Sequence, residues 1–357
     1  MARFSARLAL LCMLAAALPA RGVIFYSTGD PLYNTTEPAG ELAGSGWQYQ
    51  GTWLGFLGTP IAPNLFITAG HVGGSVGAPF LFRGQSYPTS AFYRDADTDL
   101  AIWQVCGAFP AYTPLYAGSD ETGKRCVVFG CGAPRGEPVV VTNGASAAVK
   151  GWLWGQPDGR LRWGENQLAG IVNGGSGLGD VLRATFDANG GTNEACLAGG
   201  DSGGGVFIQA GGAWQLAGLN LSVQGPFNTT DRGAGFNAAI FDIGGLYEGS
   251  EGNWSRVPDL PWPQPAAWYA TRISARLTWI KSIIAAHGGA EPPPVLEVAA
   301  AVQGPYAPAA SASANLESRT VTVPIPTLNQ FYRLRHCRSL RITRVTTDAG
   351  NLVLWYE

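Results

Sequence analysis

A buried-strand pattern that ends in a histidine occurs at Leu65-Phe66-Ile67-Thr68-Ala69-Gly70-His71. Its first five residues are mostly bulky apolar or β-branched, a composition typical of a buried strand. Gly70 ends the pattern and His71 follows it, so the strand delivers an imidazole to a loop. A second buried strand is predicted at residues 100–103, where Leu-Ala-Ile-Trp directly follows Asp99.

Short strand patterns of the same kind recur along most of the chain. One group runs from Trp47 to Trp103, and a second group runs from Val127 to Leu221. Turn residues interrupt them every 8 to 12 positions or so. The sequence therefore predicts an all-β protein with two β units in tandem.

The composition agrees with a folded chain that turns often. Of the 357 residues 46% are hydrophobic and 13% are charged, and there are 50 glycines and 24 prolines. Soluble domains usually carry about 25% charged residues. The formal net charge of −2 provides no basic field for a phosphate backbone. Nucleic acid is therefore not expected as a partner.

The first 21 residues have the layout of a secretory signal peptide. Arg3 and Arg7 precede an apolar run at residues 8–18, and Pro19 and Ala20 follow it. The run is too short to span a bilayer, and no later apolar stretch is long enough either. We expect a secreted or periplasmic protein whose mature chain has no membrane span.

The pattern changes near the carboxyl end. From Tyr269 onwards, Ile and Leu recur at helical spacing up to Ile284, and Gly288-Gly289 supplies a stop. The sequence thus predicts one helix, then a Pro-rich linker at residues 289–297. A small β accessory module is predicted at 298–357, after a main domain at 22–288.

The sharpest chemical signal is Gly199-Gly200-Asp201-Ser202-Gly203-Gly204-Gly205. Glycines on both sides of a single hydroxyl allow the backbone to turn so that amides point at one spot, as an oxyanion hole requires. Ser202 is therefore the candidate nucleophile.

A serine hydroxyl needs a base, and histidine is the usual one. The chain has three histidines. His287 ends the predicted helix and His336 lies in the tail, which leaves His71 as the candidate base by elimination.

The imidazole needs a buried carboxylate that fixes its tautomer. Asp95, Asp97 and Asp99 are all candidates. Asp99 is preferred because it directly opens the apolar run that carries it into the core, whereas the other two are expected in a solvated turn.

The order His, Asp, Ser and the local strings resemble the chymotrypsin-like (trypsin-fold) serine peptidases. The matching strings are T-A-G-H at 68–71, D-L-A-I at 99–102 and G-D-S-G-G at 200–204. The strand pattern at 213–218 and the stretch 269–285 resemble the family's strand after the nucleophile and its closing helix. The resemblance covers roughly residues 47–288.

This resemblance implies two six-stranded antiparallel β-barrels and a C-terminal helix, with the active site in the cleft between the barrels. It implies a secreted serine endopeptidase that acts on protein or peptide substrates through an acyl-enzyme. His71, Asp99 and Ser202 would form the triad, and the backbone N–H groups of Gly200 and Ser202 would form the oxyanion hole.

The cysteines depart from the family pattern. The disulfide that usually flanks the histidine is missing, and the partner of Cys126 is open because Ile208 stands where the family would place it. The family's neighbouring loops suggest a bridge between Cys131 and Cys196.

The substrate pocket has two alternative alignments, because the Cys196-to-Ser202 spacing is two residues longer than usual. Counting back from Ser202 puts Cys196 at the pocket floor and predicts a small or apolar P1 residue, meaning the residue before the cleaved bond. Counting from Cys196 puts Glu194 there and predicts Lys or Arg. Asn220 and Ser222 are expected at the pocket edge, where the family usually has Ser-Trp-Gly.

The sequence offers two alternatives for activation. In the family a new N-terminal amine pairs with the aspartate that precedes the nucleophile, here Asp201. No I-V-G-G start is present; Val23-Ile24 is one substitute, and internal satisfaction of Asp201 is the other.

Two other functional classes compete with the enzyme. A catalytically silent relative would act as a protein-binding module, and a secreted adhesive β protein would use the tail as its working part. No metal cluster, phosphate-binding loop or cofactor fingerprint occurs in the sequence, so no metal and no cofactor are expected.

Overall fold

Antiparallel strands make up most of the fold. The computed structural model describes residues 22–143, 146–156, 158–289, 292–337 and 340–357. The predicted signal peptide at 1–21 lies outside the described residues, as do residues 290 and 291 of the predicted linker. The described chain contains two closed six-stranded barrels, as expected for the fold class.

The first barrel contains the strand quoted above. Its strands, in spatial order, are Gly51–Trp53, Phe56–Ala62, Leu65–Ala69, Leu100–Val105, Gln85–Arg94 and Pro79–Phe82. Leu65–Ala69 and Leu100–Val105 are buried at every position, and Ile67 lies opposite Ile102. An aromatic cluster that includes Trp53, Phe66 and Phe80 fills the barrel.

The second barrel supplies the other wall of the site. Its strands, in spatial order, are Arg162–Asn173, Asp180–Thr185, Ala267–Arg272, Ala213–Val223, Gly205–Ala210 and Arg125–Gly130. A mixed apolar cluster joins the barrels, with Ile67 from the first, Phe129 and Leu219 from the second, and Ile280 from the helix.

The helix is shorter than the sequence predicts. It covers Leu277–His287 after a 3-10 turn at Ser274–Arg276, and Gly288 follows it as predicted. Residues from Tyr269 were expected to be helical, yet Ala267–Arg272 is a barrel strand. Hydrogen-bonded neighbours on both of its edges, Asp180–Thr185 and Ala213–Val223, hold this segment extended. Likewise Trp47–Tyr49, at the expected start of the strands, forms a 3-10 turn.

Two small sheets are added to the second barrel. The first, which we call the rim sheet, consists of Arg135–Asn143, Ser146–Trp154 and Ala238–Ile240. The second consists of Phe227–Asn228, Tyr247–Ser250 and Asn253–Arg256. Lys150 in the rim sheet is buried and forms ion pairs with Asp242 at 2.6 Å and Asp259 at 2.9 Å. These contacts connect the rim sheet to Asp242, just after its last strand, and to Asp259, just after the strand Asn253–Arg256.

The tail forms a separate pair of sheets with its own small core around Leu296, Val321 and Leu354. Its strands are Val295–Ala299, Ala307–Pro308, Ser313–Asn315, Thr320–Pro324, Phe331–Arg335, Ile342–Asp348 and Asn351–Tyr356. The first of these strands begins inside the predicted linker, so residues 295–297 belong to the module.

Four further short elements complete the described chain. Ile24–Phe25 pairs with Ala195–Cys196, and Gly40–Leu42 and Gly70–Val72 are 3-10 turns. The described residues include no helix with the length and apolar character needed to cross a bilayer.

Candidate active site

His71 lies where the first barrel opens toward the second. Leu65–Ala69 carries the chain out of the barrel, and His71 occupies the 3-10 turn that follows. The backbone N–H of Gly70 donates to the carbonyl oxygen of Asp99 at 2.8 Å. The backbone N–H of His71 donates to Oδ1 of Asp99, also at 2.8 Å. The turn is therefore tied to the residue that opens the neighbouring strand.

Asp99 is a buried carboxylate with three donors around it. Its side chain is 5% exposed. Oδ2 lies 2.5 Å from Nδ1 of His71, and Oδ1 accepts a hydrogen bond from Arg94 at 3.0 Å. Burial alone would raise the pKa of Asp99, but the hydrogen bonds and charges of His71 and Arg94 outweigh it and hold the pKa below its usual range. Asp99 is therefore ionised at neutral pH.

The two other aspartates that sequence analysis considered are engaged elsewhere. Asp95 was expected to be solvated, but it is buried and paired with Arg276 at 2.6 Å on the turn before the helix. Asp97 also contacts Arg276, at 2.8 Å. The stretch 95–99 thus anchors the C-terminal helix as well as His71.

Ser202 approaches His71 from the second barrel. Its Oγ lies 2.8 Å from Nε2 of His71, so Asp99, His71 and Ser202 form one continuous hydrogen-bonded chain. The glycines let the loop come this close to the first barrel. Gly203 has φ +75°, and a Cβ there would lie 2.3 Å from Oγ1 of Thr68.

The two other histidines lie away from this chain of groups. His287 ends the helix, where its ring stacks on Tyr93 with 4.5 Å between the ring centres. Nε2 of His336 lies 2.8 Å from the carbonyl oxygen of Pro292. His71, which was chosen from the sequence by eliminating His287 and His336, is thus the histidine that contacts Ser202.

The two predicted oxyanion donors are available. Within the described residues, the backbone N–H groups of Gly200 and Ser202 have no hydrogen-bond partner. Gly200 has φ +98°, a conformation that favours glycine. Unpaired amides beside a hydroxyl are suited to bind a developing negative charge.

The side chain of Asp201 is satisfied by internal hydrogen bonds. It is buried, and its Oδ1 and Oδ2 accept hydrogen bonds from the backbone N–H groups of Gly132 at 2.5 Å and Ala198 at 2.7 Å. Burial raises its pKa to about 7, against these hydrogen bonds. Of the two alternatives left open for Asp201, the contacts favour internal satisfaction.

A pocket of about 240 Å³ opens beside Ser202. Asn220 and Ser222 line it, where sequence analysis expected the substrate pocket. Trp154 from the rim sheet and Asn237 just before its last strand also line it. Neither residue was predicted from the sequence, because no motif includes them.

Two residues expected at the pocket floor lie elsewhere. Glu194 borders a different cavity, where its Oε1 accepts hydrogen bonds from Asn166 and from the backbone N–H of Asp187, each at 2.9 Å. Cys196 is buried in a short strand that pairs with Ile24. Neither Glu194 nor Cys196 lines the pocket beside Ser202, so neither of the two sequence-based alignments identifies its floor.

The cysteine pairing also differs from expectation. Cys131 and Cys196 do not form the expected bridge; Sγ of Cys131 lies 3.9 Å from the carbonyl oxygens of Gly55 and Gly200. The disulfide that does form joins Cys106, after the last strand of the first barrel, to Cys337 in the tail. Cys126 is a buried thiol, and burial raises its pKa.

Comparison of the sequence with protein-family models and with curated proteins gives no match. No group of three or more His, Cys, Asp or Glu side chains in the described ranges is arranged to hold a metal ion.

Proposed function

We propose that this protein is an exported serine endopeptidase of the chymotrypsin-like class, cleaving protein or peptide substrates through an acyl-enzyme. The observation that carries the proposal is the continuous chain of contacts Asp99–His71–Ser202, 2.5 Å and 2.8 Å long. Its setting between two six-stranded barrels supports the same class. Export rests on the signal-like residues 1–21.

In the proposed first step, Oγ of Ser202 attacks the scissile carbonyl carbon while Nε2 of His71 takes the hydroxyl proton. Asp99 holds Nδ1–H toward itself, so that Nε2 is the unprotonated atom that faces Ser202, and its negative charge stabilises the imidazolium that forms. The N–H groups of Gly200 and Ser202 hold the oxyanion.

The imidazolium then gives its proton to the leaving amine, and the C–N bond breaks. This leaves an ester between Ser202 and the acyl half of the substrate. A water molecule, deprotonated by His71, hydrolyses the ester and restores the free serine.

Incubation of the secreted protein with a peptide library tests the proposal. We expect cleavage by the wild type and none by Ser202→Ala, with the products identified by mass spectrometry. A wild type that leaves the whole library intact would favour the competing assignment, a silent relative that binds proteins.

A further inference from the structure

A leucine occupies an exposed hairpin turn beside the candidate active site. Leu54 and Gly55 form the two-residue turn that joins the strands Gly51–Trp53 and Phe56–Ala62. Leu54 is 47% exposed. A single exposed leucine is ordinary at a protein surface, so its backbone and its neighbours decide whether it has a use.

The turn itself does not require a leucine. Leu54 has φ +49° and Gly55 has φ +91°, so both residues are in the left-handed region. Two-residue hairpin turns of this kind favour Asn-Gly, and a bulky first residue is unfavourable. Leucine therefore occupies a position where asparagine would suit the backbone better. Unfavourable backbone conformations of this kind are concentrated at functional sites.

The turn lies beside both loops of the candidate active site. The backbone N–H of Leu57, on the strand that follows the turn, donates to the carbonyl oxygen of Ser202 at 3.3 Å. A Cβ added to Gly74, three residues after His71, would lie 3.2 Å from Cδ1 of Leu54. The exposed leucine side chain is thus next to the loop that carries the base.

Trp53 holds this part of the surface in place. Its side chain is buried, and its Nε1 donates to the carbonyl oxygen of Gly73 at 2.9 Å. A Cβ added to Gly74 would lie 2.3 Å from the same ring. The loop after His71 is therefore packed on Trp53, and Leu54 follows directly in the chain. A surface held in this way binds a side chain without first having to become ordered.

The proposed reaction assigns this surface to the leaving half of the substrate. Nε2 of His71 gives its proton to the leaving amine, so the residue that carries this amine begins next to His71. The pocket beside Ser202 is lined by residues between 154 and 237 and is suited to the acyl half. Leu54, in the first barrel, is then left for the other half.

We propose that Leu54 selects an apolar side chain in the leaving half of the substrate, at P1′ or P2′, the first and second residues after the cleaved bond. The inference rests on the proposed function. An apolar side chain that packs on Leu54 removes apolar surface of both partners from water. A polar side chain of the same size gains less from this contact.

The test measures kcat/KM on peptides that share one acyl half and differ only at P1′ or only at P2′. Leu against Asn and Met against Gln are pairs of similar size. At one of the two positions, we expect the apolar residues to exceed their polar partners about fivefold to tenfold. Equal values at both positions, or a preference for the polar partners, would overturn the proposal.

Leu54→Asn removes the apolar side chain and suits the turn, so we expect it to fold and to unfold at a temperature no lower than the wild type. Its apolar-to-polar ratio should fall at least about threefold, whereas Leu54→Met should keep most of the ratio. Ala349→Asn is the matched control, because Ala349 is exposed, has φ +45° and begins a two-residue turn in the tail. An unchanged ratio in Leu54→Asn would overturn the assignment to Leu54.

Labelling of Ser202 by a fluorophosphonate separates the two levels of inference. Labelling combined with flat P1′ and P2′ profiles overturns the proposal for Leu54 and leaves the proposed function in place. Neither labelling nor cleavage of any peptide overturns the proposed function, and the proposal for Leu54 with it.

Discussion

The guanidinium of Arg94 donates a hydrogen bond to Oδ1 of Asp99, the carboxylate oxygen opposite the one that contacts Nδ1 of His71. Arg94 ends the strand Gln85–Arg94, and its side chain lies over Gly70. This arginine was not singled out from the sequence, because no motif includes it. It acts on the serine only through Asp99, which makes it a positioning residue.

Arg94→Gln is expected to lower kcat/KM at pH 7 roughly threefold to tenfold, because Asp99 loses a hydrogen-bond donor and a nearby positive charge. Since the pKa of Asp99 is depressed in the fold, its ionisation contributes stability at neutral pH that is lost as pH falls through that pKa. Arg94→Gln should therefore destabilise the protein at pH 7 and progressively less as the pH is lowered below 4. Urea unfolding at several pH values measures this.

Gly70→Ala provides a check on the same contact. A Cβ at this position would lie 0.7 Å from Nη1 of Arg94, so the guanidinium has to move. The double variant should then be little worse than either single one. Fully additive losses would show that Arg94 acts elsewhere.

Asp99→Asn is expected to lower kcat by roughly four orders of magnitude with little change in fold, because the amide no longer holds Nδ1–H of His71 in place. Asp97→Asn is the control, since Asp97 is mostly exposed and contacts Arg276 rather than His71. Steady-state kinetics with a cleaved peptide compares the two. Equal losses in both variants would speak against a special role for Asp99.

The buried carboxyl group of Glu194 should make the stability of the protein depend on pH. Burial raises the pKa of its carboxyl to about 8, so the fold binds a proton that the unfolded chain releases near its ordinary value. Stability from this group is therefore full at low pH and is lost as pH rises toward 8. Glu194→Gln keeps the acceptor Oε1 and should stabilise the protein at pH 8.5 by at least about 1 kcal/mol.

Thermal unfolding at pH 5 and pH 8.5 tests this expectation. Glu251→Gln is the control, because Glu251 is exposed in a hairpin turn. A pH dependence that is the same in wild type and Glu194→Gln would contradict it.

The Cys106–Cys337 disulfide should hold the tail to the first barrel. Cys337→Ser is expected to cost about 2–5 kcal/mol of stability, because the bond closes a long loop of 231 residues. Limited proteolysis should then release the tail sooner. Cys106→Ser is the matched variant, because it removes the other half of the same disulfide, and it should lower the stability by the same amount. Cys126→Ser is not a suitable control, because Cys126 is buried in the core. Unequal losses would indicate a different pairing in solution.

The local pattern of apolar and β-branched residues was enough to predict the strands that carry His71 and Asp99. The strand Leu65–Ala69 is apolar and β-branched because both its faces are buried, and that composition is visible in the sequence. The positions of His71 and Asp99 could be predicted from these strands, since His71 comes just after Leu65–Ala69 and Asp99 comes just before Leu100–Val105.

Features that depend on distant packing were not predicted. Ala267–Arg272 is extended because two barrel strands pair with it, although helical spacing begins close by. Cys106 and Cys337 meet only through the fold. Trp154 and Ser202 line the same pocket although they are far apart in the sequence, and no local pattern encodes that meeting.

The most direct test of the account is covalent labelling with a fluorophosphonate, which modifies a serine only if a neighbouring base activates it. The account predicts one label per chain, mapped to Ser202 by mass spectrometry, strongly reduced in His71→Ala and absent in Ser202→Ala. A folded wild type that takes up no label, or takes it up on another residue, would contradict it.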